Sequence, residues 1–253
     1  GLFESREKAK RAIMAGIVYN DNIRIDKAGE KVESTAELRI KGKQMPYVSR
    51  GGLKLEKAIN ELNFDVKDKV MIDIGSSTGG FTDCALQNGA KFVYALDVGT
   101  NQLVWKLRND DRVKVMEQTN FRHSVKEDFD VYDIDIASID VSFISLRHMF
   151  PVASKILKDT GAVMCLIKPQ FEAGREQVGK KGIVRDSKVH VEVIENVIGY
   201  ASDNGLYPHG LDYSPVKGTK GNIEYLLYLK KTESSEKISP QEVVNIAHGE
   251  LDY

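Results

Sequence analysis

The sequence predicts an α/β fold in which helices cover both faces of a mainly parallel β-sheet. Three observations support this prediction. Short apolar stretches with strand character alternate with helical stretches through most of the chain, as parallel sheets require. A glycine-rich turn follows the first of these strands, within VMIDIGSSTGGF at 70–81. The last two predicted strands are too close in sequence for a helical crossover, and they must therefore run antiparallel.

The elements of this sheet can be placed in order along the chain. Helices are predicted at 53–62, 79–88, 101–108, 146–157 and 187–203. Strands are predicted near 70–74, 91–97, 113–117, 134–140, 161–167, 207–213 and 223–230. The last two strands are joined by SPVKGTKGN, which is rich in turn-forming residues. Seven strands that end in an antiparallel hairpin form the arrangement of the Rossmann-like S-adenosylmethionine-dependent methyltransferase fold.

The residues before this sheet predict a separate, small α/β module at 1–45. It contains a helix at 5–15 that Gly16 ends, the short strands IVY and IRI around the tight turn NDN, and a third strand at 37–40. A polar stretch, KGKQMP (41–46), leads to a linker that we place at 46–52, with Ser49 to Gly52 flexible. The methyltransferase-like domain then spans 53–232. The C-terminal segment 233–253 combines a polar stretch with one last predicted helix, ISPQEVVNIAHGEL.

The composition excludes several classes of protein. No apolar run approaches the roughly 18 residues of a membrane-spanning helix, and the polar, basic start GLFESREKAKR does not resemble a signal peptide. The absence of an initiator Met indicates a fragment or a trimmed chain. Cys84 and Cys165 lie on different predicted elements as small apolar side chains without metal-ligand spacing, so we expect neither a disulfide nor a metal. We predict a cytoplasmic monomer that does not bind a membrane.

Charge is distributed unevenly along the chain. Residues 1–58 contain 13 Lys or Arg and 8 Asp or Glu, for a net charge of +5, whereas the remaining residues sum to −6. A basic N-terminal region followed by an acidic remainder favours an anionic polymer such as RNA as the partner of the N-terminal region. The alternative is that its basic helix is merely solvated. The predicted RNA-binding residues are Arg6, Lys8, Lys10, Arg11 and Arg50.

The glycine-rich turn indicates a nucleotide-like ligand, because glycines let the backbone approach a ligand closely. Its spacing matches neither a dinucleotide fingerprint nor a P-loop, and it suits S-adenosylmethionine, a sulfonium without phosphates. Asp97, 24 residues after Asp73, ends the second strand, where such domains bind a ribose. An ordinary loop and a solvated acid are the alternatives. The predicted cofactor-binding residues are Asp73, Gly75, Ser76, Ser77, Gly79, Gly80, Phe81, Asp97, Glu117 and Asn120.

Weaker candidates follow the later strands. Glu117 and Asn120 can contact the adenine, or they can form a turn. Ser142 and Phe143 can line a pocket for the target nucleoside, although Phe143 is equally consistent with the core. The long loop after the fifth strand carries further candidates, which can shape that pocket or contact phosphates, or can simply be solvated: Gln170, Phe171, Arg175, Lys180, Lys181 and Arg185.

Several motifs together resemble a known family. SRGGLKLEKAI, DIGSSTGGF, YALDVGTNQL, SIDVSFISL, LIKPQFE and GNIEYLLYL are similar to successive motifs of the TlyA-type hemolysin/ribosomal RNA methyltransferases, whose catalytic domain is FtsJ-like. The N-terminal GLFESREKAKRAIMAGIVYNDNIRI resembles the RNA-binding module named after ribosomal protein S-four, without its first few residues. The resemblance implies methyl transfer from S-adenosylmethionine to a ribose 2′-hydroxyl of ribosomal RNA, at cytidine.

The resemblance also implies a catalytic tetrad of Lys54, Asp140, Lys168 and Glu224. A ribose hydroxyl is a poor nucleophile, so an enzyme must align it with the methyl group and help to remove its proton. Asp140 and Lys168 each follow an apolar strand, at the sheet edge where ligands of such folds bind, although a lysine directly after an apolar strand can also be a solvated strand end. Lys54 is also consistent with a helix surface and Glu224 with an outward-facing strand position, so their roles rest mainly on the resemblance.

Three other functions compete with this prediction. A membrane-active cytolysin, which the family's second label suggests, is disfavoured because no spanning or strongly amphipathic apolar helix is predicted. An RNA-binding protein without catalysis is disfavoured because all four tetrad positions are present. A methyltransferase for base amines commonly carries N/D-P-P-Y/F after the fourth strand, whereas this chain has DVSF at 140–143.

Overall fold

The computed structural model describes residues 2–25, 27–42 and 45–251, which form two compact units, 1–46 and 47–253. Lys43 and Gln44 of the predicted polar stretch lie outside the described residues. So do Gly1 and Asp26 of the predicted module and the last two residues of the predicted tail. The two units are described separately below.

The N-terminal unit combines one helix with a small antiparallel sheet, in agreement with the predicted elements. Helix α1 (Arg6–Met14) begins after Ser5, whose side chain accepts a hydrogen bond from the backbone N–H of Lys8. Strands β1 (Val18–Asn20), β2 (Ile23–Arg24) and β3 (Leu38–Ile40) form a sheet in the order β2-β1-β3. The apolar face of α1 packs on this sheet through Ala12, Val18 and Ile25.

The second unit is built on a seven-stranded sheet. In chain order its elements are α2 (Gly51–Glu61), β4 (Val70–Ile74), α3 (Gly80–Gln87), β5 (Phe92–Leu96), α4 (Trp105–Arg108), β6 (Val113–Met116), β7 (Ile134–Ile139), α5 (Phe150–Ile156), β8 (Leu157–Ile167), α6 (Pro169–Glu172), α7 (Ser187–Ser202), β9 (Tyr207–Tyr213), β10 (Tyr225–Lys230) and α8 (Pro240–Glu250). The strand order is β6-β5-β4-β7-β8-β10-β9. This order confirms the predicted methyltransferase-type α/β fold.

The direction of the strands determines where a site can form. Strands β6, β5, β4, β7 and β8 pair in parallel, so their carboxyl ends lie at one edge of the sheet. Strand β10 inserts between β8 and β9 and pairs antiparallel with both, so its first residue lies at that same edge. Two apolar layers bury the faces of the sheet, which is why every residue of β4 and β5 is buried.

Five predicted elements differ from the observed ones. Helix α2 begins at Gly51, so the prediction of a flexible Ser49 to Gly52 is wrong in its second half. Glycine is a poor helix former, but the glycines here let α2 and α3 pack closely together. A Cβ on Gly80 of α3 would contact the backbone of Gly51 and Gly52. Only the second half of the helix predicted at 101–108 is observed, as α4, because Asn101 adopts φ of +54°, which is not a helical conformation.

The other three differences concern element ends, and one of them is that β8 begins at Leu157 instead of near 161. The helix predicted at 146–157 is a short 3₁₀ turn at Leu146–His148 followed by α5, which Pro151 helps to start. Strand β10 begins at Tyr225, so Glu224 precedes the strand instead of lying in it. The final predicted helix is observed as α8.

Within the described ranges, the helices are too short or too polar to cross a membrane. Cys84 and Cys165 are free and buried in the apolar layers, which confirms that they fill space as small apolar residues.

Candidate active site

Four charged side chains converge at the carboxyl edge of the large sheet, and we call them the charged cluster: Lys54, Asp140, Lys168 and Glu224. Lys54 Nζ lies 2.7 Å from Glu224 Oε2 and 3.9 Å from Asp140 Oδ2. Lys168 Nζ lies 2.5 Å from Asp140 Oδ1. The structure therefore brings together all four residues that the resemblance implied.

The topology explains this convergence. Asp140 follows β7 and Lys168 follows β8, and these strands are parallel neighbours. Tyr225 pairs with Ile167 in the antiparallel β8–β10 ladder, which places the preceding Glu224 beside Lys168. Lys54 reaches the same edge from the start of α2.

The cluster is an alternating chain of charges in a buried setting. Glu224 is only 2% exposed, and Lys54 and Lys168 are each 8% exposed. Charges so far from water are stable only when they are paired, and each member here has an opposite charge beside it. Lys168 also donates a hydrogen bond to Ser142 Oγ at 3.2 Å. Removing one member would leave a buried partner uncompensated.

The charged cluster faces a cavity of about 280 Å³ that the glycine-rich turn also lines. Five of the predicted cofactor-binding residues line it, together with the predicted RNA-binding residue Arg50. The complete lining is Ser49, Arg50, Gly51, Lys54, Gly75, Ser76, Ser77, Thr78, Gly80, Phe81, Asp140, Lys168, Val216, Lys217, Gly218, Thr219 and Glu224. One cavity thus joins the turn to the charged cluster.

The turn between β4 and α3 accepts only glycine at two positions. Gly75 has φ of +82°, and a Cβ there would collide with the backbone carbonyl of Asp140. Gly79 has φ of +103°, and a Cβ there would collide with the side chains of Leu103 and Leu107. The turn therefore packs directly against the end of β7, and its backbone borders the cavity.

Asp73 lies beneath the turn instead of lining the cavity. Its carboxylate is fully buried and accepts hydrogen bonds from Thr82 Oγ1 at 2.6 Å and Ser138 Oγ at 3.2 Å. Burial away from water raises the pKa of Asp73 to about 7. The two hydrogen bonds lower this pKa, but their effect is smaller than that of burial. The side chain thus ties β4 to α3 and β7, and its predicted direct contact with a cofactor is not supported by this position.

We expect the Asp73→Asn variant to change the pH dependence of stability. Asp73 keeps its proton up to about pH 7 when folded but releases it near pH 3.8 when unfolded, so stability falls as the pH rises across this window. The variant lacks this titration. Between pH 5 and 6 the free energy of unfolding of the parent should fall relative to the variant by roughly 1 kcal/mol per pH unit, and the slope should lessen towards pH 7. Chemical denaturation at several pH values measures this difference, and parallel curves would contradict it.

The remaining predicted cofactor residues lie outside this cavity. The carboxylate of Asp97, after β5, accepts hydrogen bonds from the backbone N–H groups of Ser77 and Gly99, both at 2.8 Å. Asp97 therefore connects the glycine-rich turn to the loop after β5. Glu117 forms an ion pair with Arg108, whose hydrogen bond lowers the pKa of Glu117.

Asn120 has a local structural role. Its side chain accepts a hydrogen bond from the backbone N–H of Arg122 and so caps a 3₁₀ turn, which is the alternative that the sequence left open.

The loop after Asp140 presents an aromatic side chain to solvent. Phe143 is 90% exposed and adopts φ of +63°, so the structure excludes a core position for it. Its ring lies 4.8 Å from that of Phe171, measured between centroids. Gln170 is half-buried in α6, next to Phe171.

Glu172 is a residue that the sequence interpretation missed. Its carboxylate accepts hydrogen bonds from Ser145 Oγ at 2.7 Å and from the backbone N–H of Leu146 at 2.8 Å. Burial raises its pKa. The contacts join α6, which follows Lys168, to the loop that follows Asp140. Its place in LIKPQFE, four residues after Lys168, was the available signal.

The predicted RNA-binding cations of the N-terminal unit lie on α1. Arg6, Lys8, Lys10 and Arg11 are exposed, and Lys8 forms an ion pair with Glu4. Among the described residues, no group of His, Cys, Asp and Glu has the grouping of a metal site.

Comparisons with known proteins agree with this fold. Residues 47–231 match the family described as FtsJ-like methyltransferase. The chain is 56% identical over 249 residues to "Putative rRNA methyltransferase YqxC" of Bacillus subtilis, covering 97% of this chain and 89% of that protein. It is 36% identical over 249 residues to "16S/23S rRNA (cytidine-2'-O)-methyltransferase TlyA" of Mycobacterium tuberculosis, covering 98% and 92% respectively.

A solved structure, "Putative hemolysin from Streptococcus thermophilus", is 57% identical to this chain and superposes with a TM-score of 0.83, covering 99% of this chain and 92% of that one. The family match covers most of the chain, and the relatives are matched over most of their own length. The seven-stranded sheet, its glycine-rich turn and these matches together establish that the chain belongs to the FtsJ-like methyltransferase family.

Proposed function

We propose that this protein transfers a methyl group from S-adenosylmethionine to a ribose 2′-hydroxyl of ribosomal RNA, at a cytidine. One observation carries the proposal: the charged cluster and the glycine-rich turn line the same cavity. The names of the relatives from B. subtilis and M. tuberculosis specify ribosomal RNA, and the second also specifies a cytidine 2′-oxygen. The reaction therefore takes place where ribosomes are, in the cytoplasm.

The glycines of the turn fix its position beside the cavity. A Cβ on Gly75 or Gly80 would collide with neighbouring protein atoms, so glycine lets the turn pack tightly against Asp140 and the start of α2. Gly75, Ser76, Ser77, Gly80 and Phe81 would hold the cofactor. Asp97 lies outside the cavity lining but accepts a hydrogen bond from the N–H of Ser77, and from there it would accept hydrogen bonds from the ribose of the cofactor. When bound, the cofactor supplies an activated methyl group on a sulfonium. Gly79, Asp73, Glu117 and Asn120 would support this site from outside the cavity.

The charged cluster supplies the acid–base chemistry. Lys168 Nζ accepts the proton of the 2′-hydroxyl, and the oxygen becomes a competent nucleophile. Asp140 holds Lys168 at 2.5 Å and Lys54 at 3.9 Å, so it determines where both amines lie. Glu224 holds Lys54 from the opposite side at 2.7 Å. The cluster thereby orients the hydroxyl and removes its proton.

The test uses cofactor labelled in its methyl group, incubated with purified ribosomal subunits and separately with naked ribosomal RNA. Alkaline hydrolysis of the product distinguishes the site of the label, because a 2′-O-methyl group prevents cleavage of the adjacent phosphodiester. Label in alkali-resistant dinucleotides is the expected result. Label in mononucleotides would indicate a methylated base, and no transfer to any RNA would leave the protein as an RNA-binding protein without this activity.

We further propose that the N-terminal unit is an RNA-binding module that docks the substrate. Replacing Arg6, Lys8, Lys10 and Arg11 by Gln should weaken RNA binding and flatten its salt dependence, by roughly 0.7–0.9 in the logarithmic slope for each phosphate that the module no longer neutralises. Filter binding of naked ribosomal RNA at several salt concentrations measures this slope. Cofactor affinity should not change, since the turn and the charged cluster are intact. An unchanged slope would assign the module another partner.

A further inference from the structure

Two loops of the second unit are joined into one structure beside the candidate active site. We call them the basic loop, 174–186, and the cavity loop, 214–222. Asn222, which is 2% exposed, joins them: its Nδ2 donates to the carbonyls of Gly182 at 2.9 Å and Thr219 at 3.0 Å, and its Oδ1 accepts from the N–H of Val184 at 3.2 Å. A buried side chain with three such hydrogen bonds holds the two loops in a fixed position relative to each other.

The joined loops carry exposed cations. Lys180 and Lys181 lie on the basic loop and Lys220 on the cavity loop, and all three are exposed. Within the described ranges, none of the three forms an ion pair. Lys220 Nζ lies 3.4 Å from the position that a Cβ would take on Gly182, so the side chain of Lys220 reaches the basic loop next to Lys181.

The backbone at Lys220 supports a specific role for this side chain. Lys220 adopts φ of +60°, a left-handed conformation that glycine or asparagine adopts at lower cost. A second cavity, of about 390 Å³, opens on the basic loop and is lined by Lys180 and Lys181. The carboxylate of Asp186 at its rim accepts a hydrogen bond from the N–H of Lys188. The two loops together contain six Lys or Arg residues against two acids, Glu176 and Asp186, so their net charge is positive.

The cavity loop connects this surface to the site of methyl transfer. Val216, Lys217, Gly218 and Thr219 line the same cavity as the charged cluster, and Glu224 follows two residues after Asn222. The joined loops therefore border the cavity that would receive the target nucleotide. This geometry matters because the second unit is otherwise acidic.

We propose that Lys180, Lys181 and Lys220 bind the phosphates of the RNA that flank the target nucleotide. The inference rests on the proposed function, and it assigns the second unit its own RNA contact, separate from the N-terminal unit. Exposed ammonium groups bind phosphates, and such contacts position RNA without regard to base identity. This surface would orient the target nucleotide towards the charged cluster.

The test replaces Lys180, Lys181 and Lys220 by Gln together. Its matched control replaces three other exposed lysines of the same unit by Gln: Lys67, Lys155 and Lys237. Both variants remove three positive charges, so a difference in RNA binding between them shows that the position of the lysines matters. For the loop variant we expect KM for ribosomal RNA to rise about tenfold or more and the salt slope of RNA binding to fall by about 2 to 3. Saturating kcat and cofactor affinity should stay within about twofold of the parent.

Equal KM values and equal salt slopes in the loop variant and the control variant would overturn the proposal. So would a fall in saturating kcat without a change in KM, because that result would place these lysines in the chemical step. The proposed function is judged by methyl transfer in the parent protein alone. RNA binding is measured without cofactor, so the two hypotheses can fail separately.

Discussion

Replacing Lys168 by Ala should reduce single-turnover methyl transfer by about 10² to 10⁴, the usual contribution of a general base. The physical reason is the position of Nζ, which lies 2.5 Å from Asp140 Oδ1 and borders the cavity. Binding of cofactor and RNA should stay within a few-fold of the parent, because neither ligand needs this amine in the ground state. The measurement is transfer of labelled methyl to ribosomal RNA at saturating cofactor.

Two further variants make this result specific. Lys168→Arg should not restore the rate, because a guanidinium remains protonated at neutral pH and accepts no proton. Lys155→Ala, an exposed lysine on α5, should keep the parental rate. Near-parental rates in both Lys168 variants would remove this residue from the mechanism and leave catalysis to alignment of the substrate. Thermal unfolding of each variant shows whether the fold survives the removal of a buried ion pair.

Replacing Asp97 by Ala should weaken the binding of S-adenosylmethionine about tenfold or more, which corresponds to about 1.5–3 kcal/mol for a charged hydrogen-bond acceptor. The variant lacks the proposed acceptor of the ribose hydroxyls. It also lacks the two hydrogen bonds that hold Ser77 and Gly99, so the glycine-rich turn is no longer joined to the loop after β5. Calorimetric titration with the cofactor measures the change.

The control for this variant is Asp111→Ala, an exposed acid beyond α4. It removes the same charge and should leave cofactor affinity at the parental value. Asp97→Asn keeps one acceptor oxygen but brings an amide donor towards a backbone N–H, and we expect it to weaken binding as well. Parental affinity in both Asp97 variants would place the ribose elsewhere.

Most of the large sheet could be predicted from the sequence because its strands are buried on both faces. The continuous apolar stretches of β4 and β5 can be satisfied only inside a covered sheet. The short α4 and the early start of α2 could not be predicted. The short α4 depends on the backbone conformation of Asn101. The early start of α2 depends on packing between α2 and α3, which helix propensities of single residues do not describe.

The candidate site was predictable to different degrees. Asp140 and Lys168 follow neighbouring strands, so the fold alone places them together. Lys54 and Glu224 are far away in sequence, and only the resemblance connected them to the site. Their convergence depends on the insertion of β10 between β8 and β9, which no local pattern specifies. Asp73 was predicted from its position on β4 to contact the cofactor, but its side chain is buried beneath the turn. An acid at a strand end can face the interior as well as a ligand.

The insertion of β10 also imposes an order on folding. Strand β9 emerges from the ribosome before β10, but it cannot pair with β8 directly, since β10 lies between them. The edge of β8 therefore remains open until the last strand has been synthesised. That strand brings Glu224 beside Lys168 when it closes the sheet. A chain in which β10 has not yet paired with β8 therefore lacks Glu224 in the charged cluster.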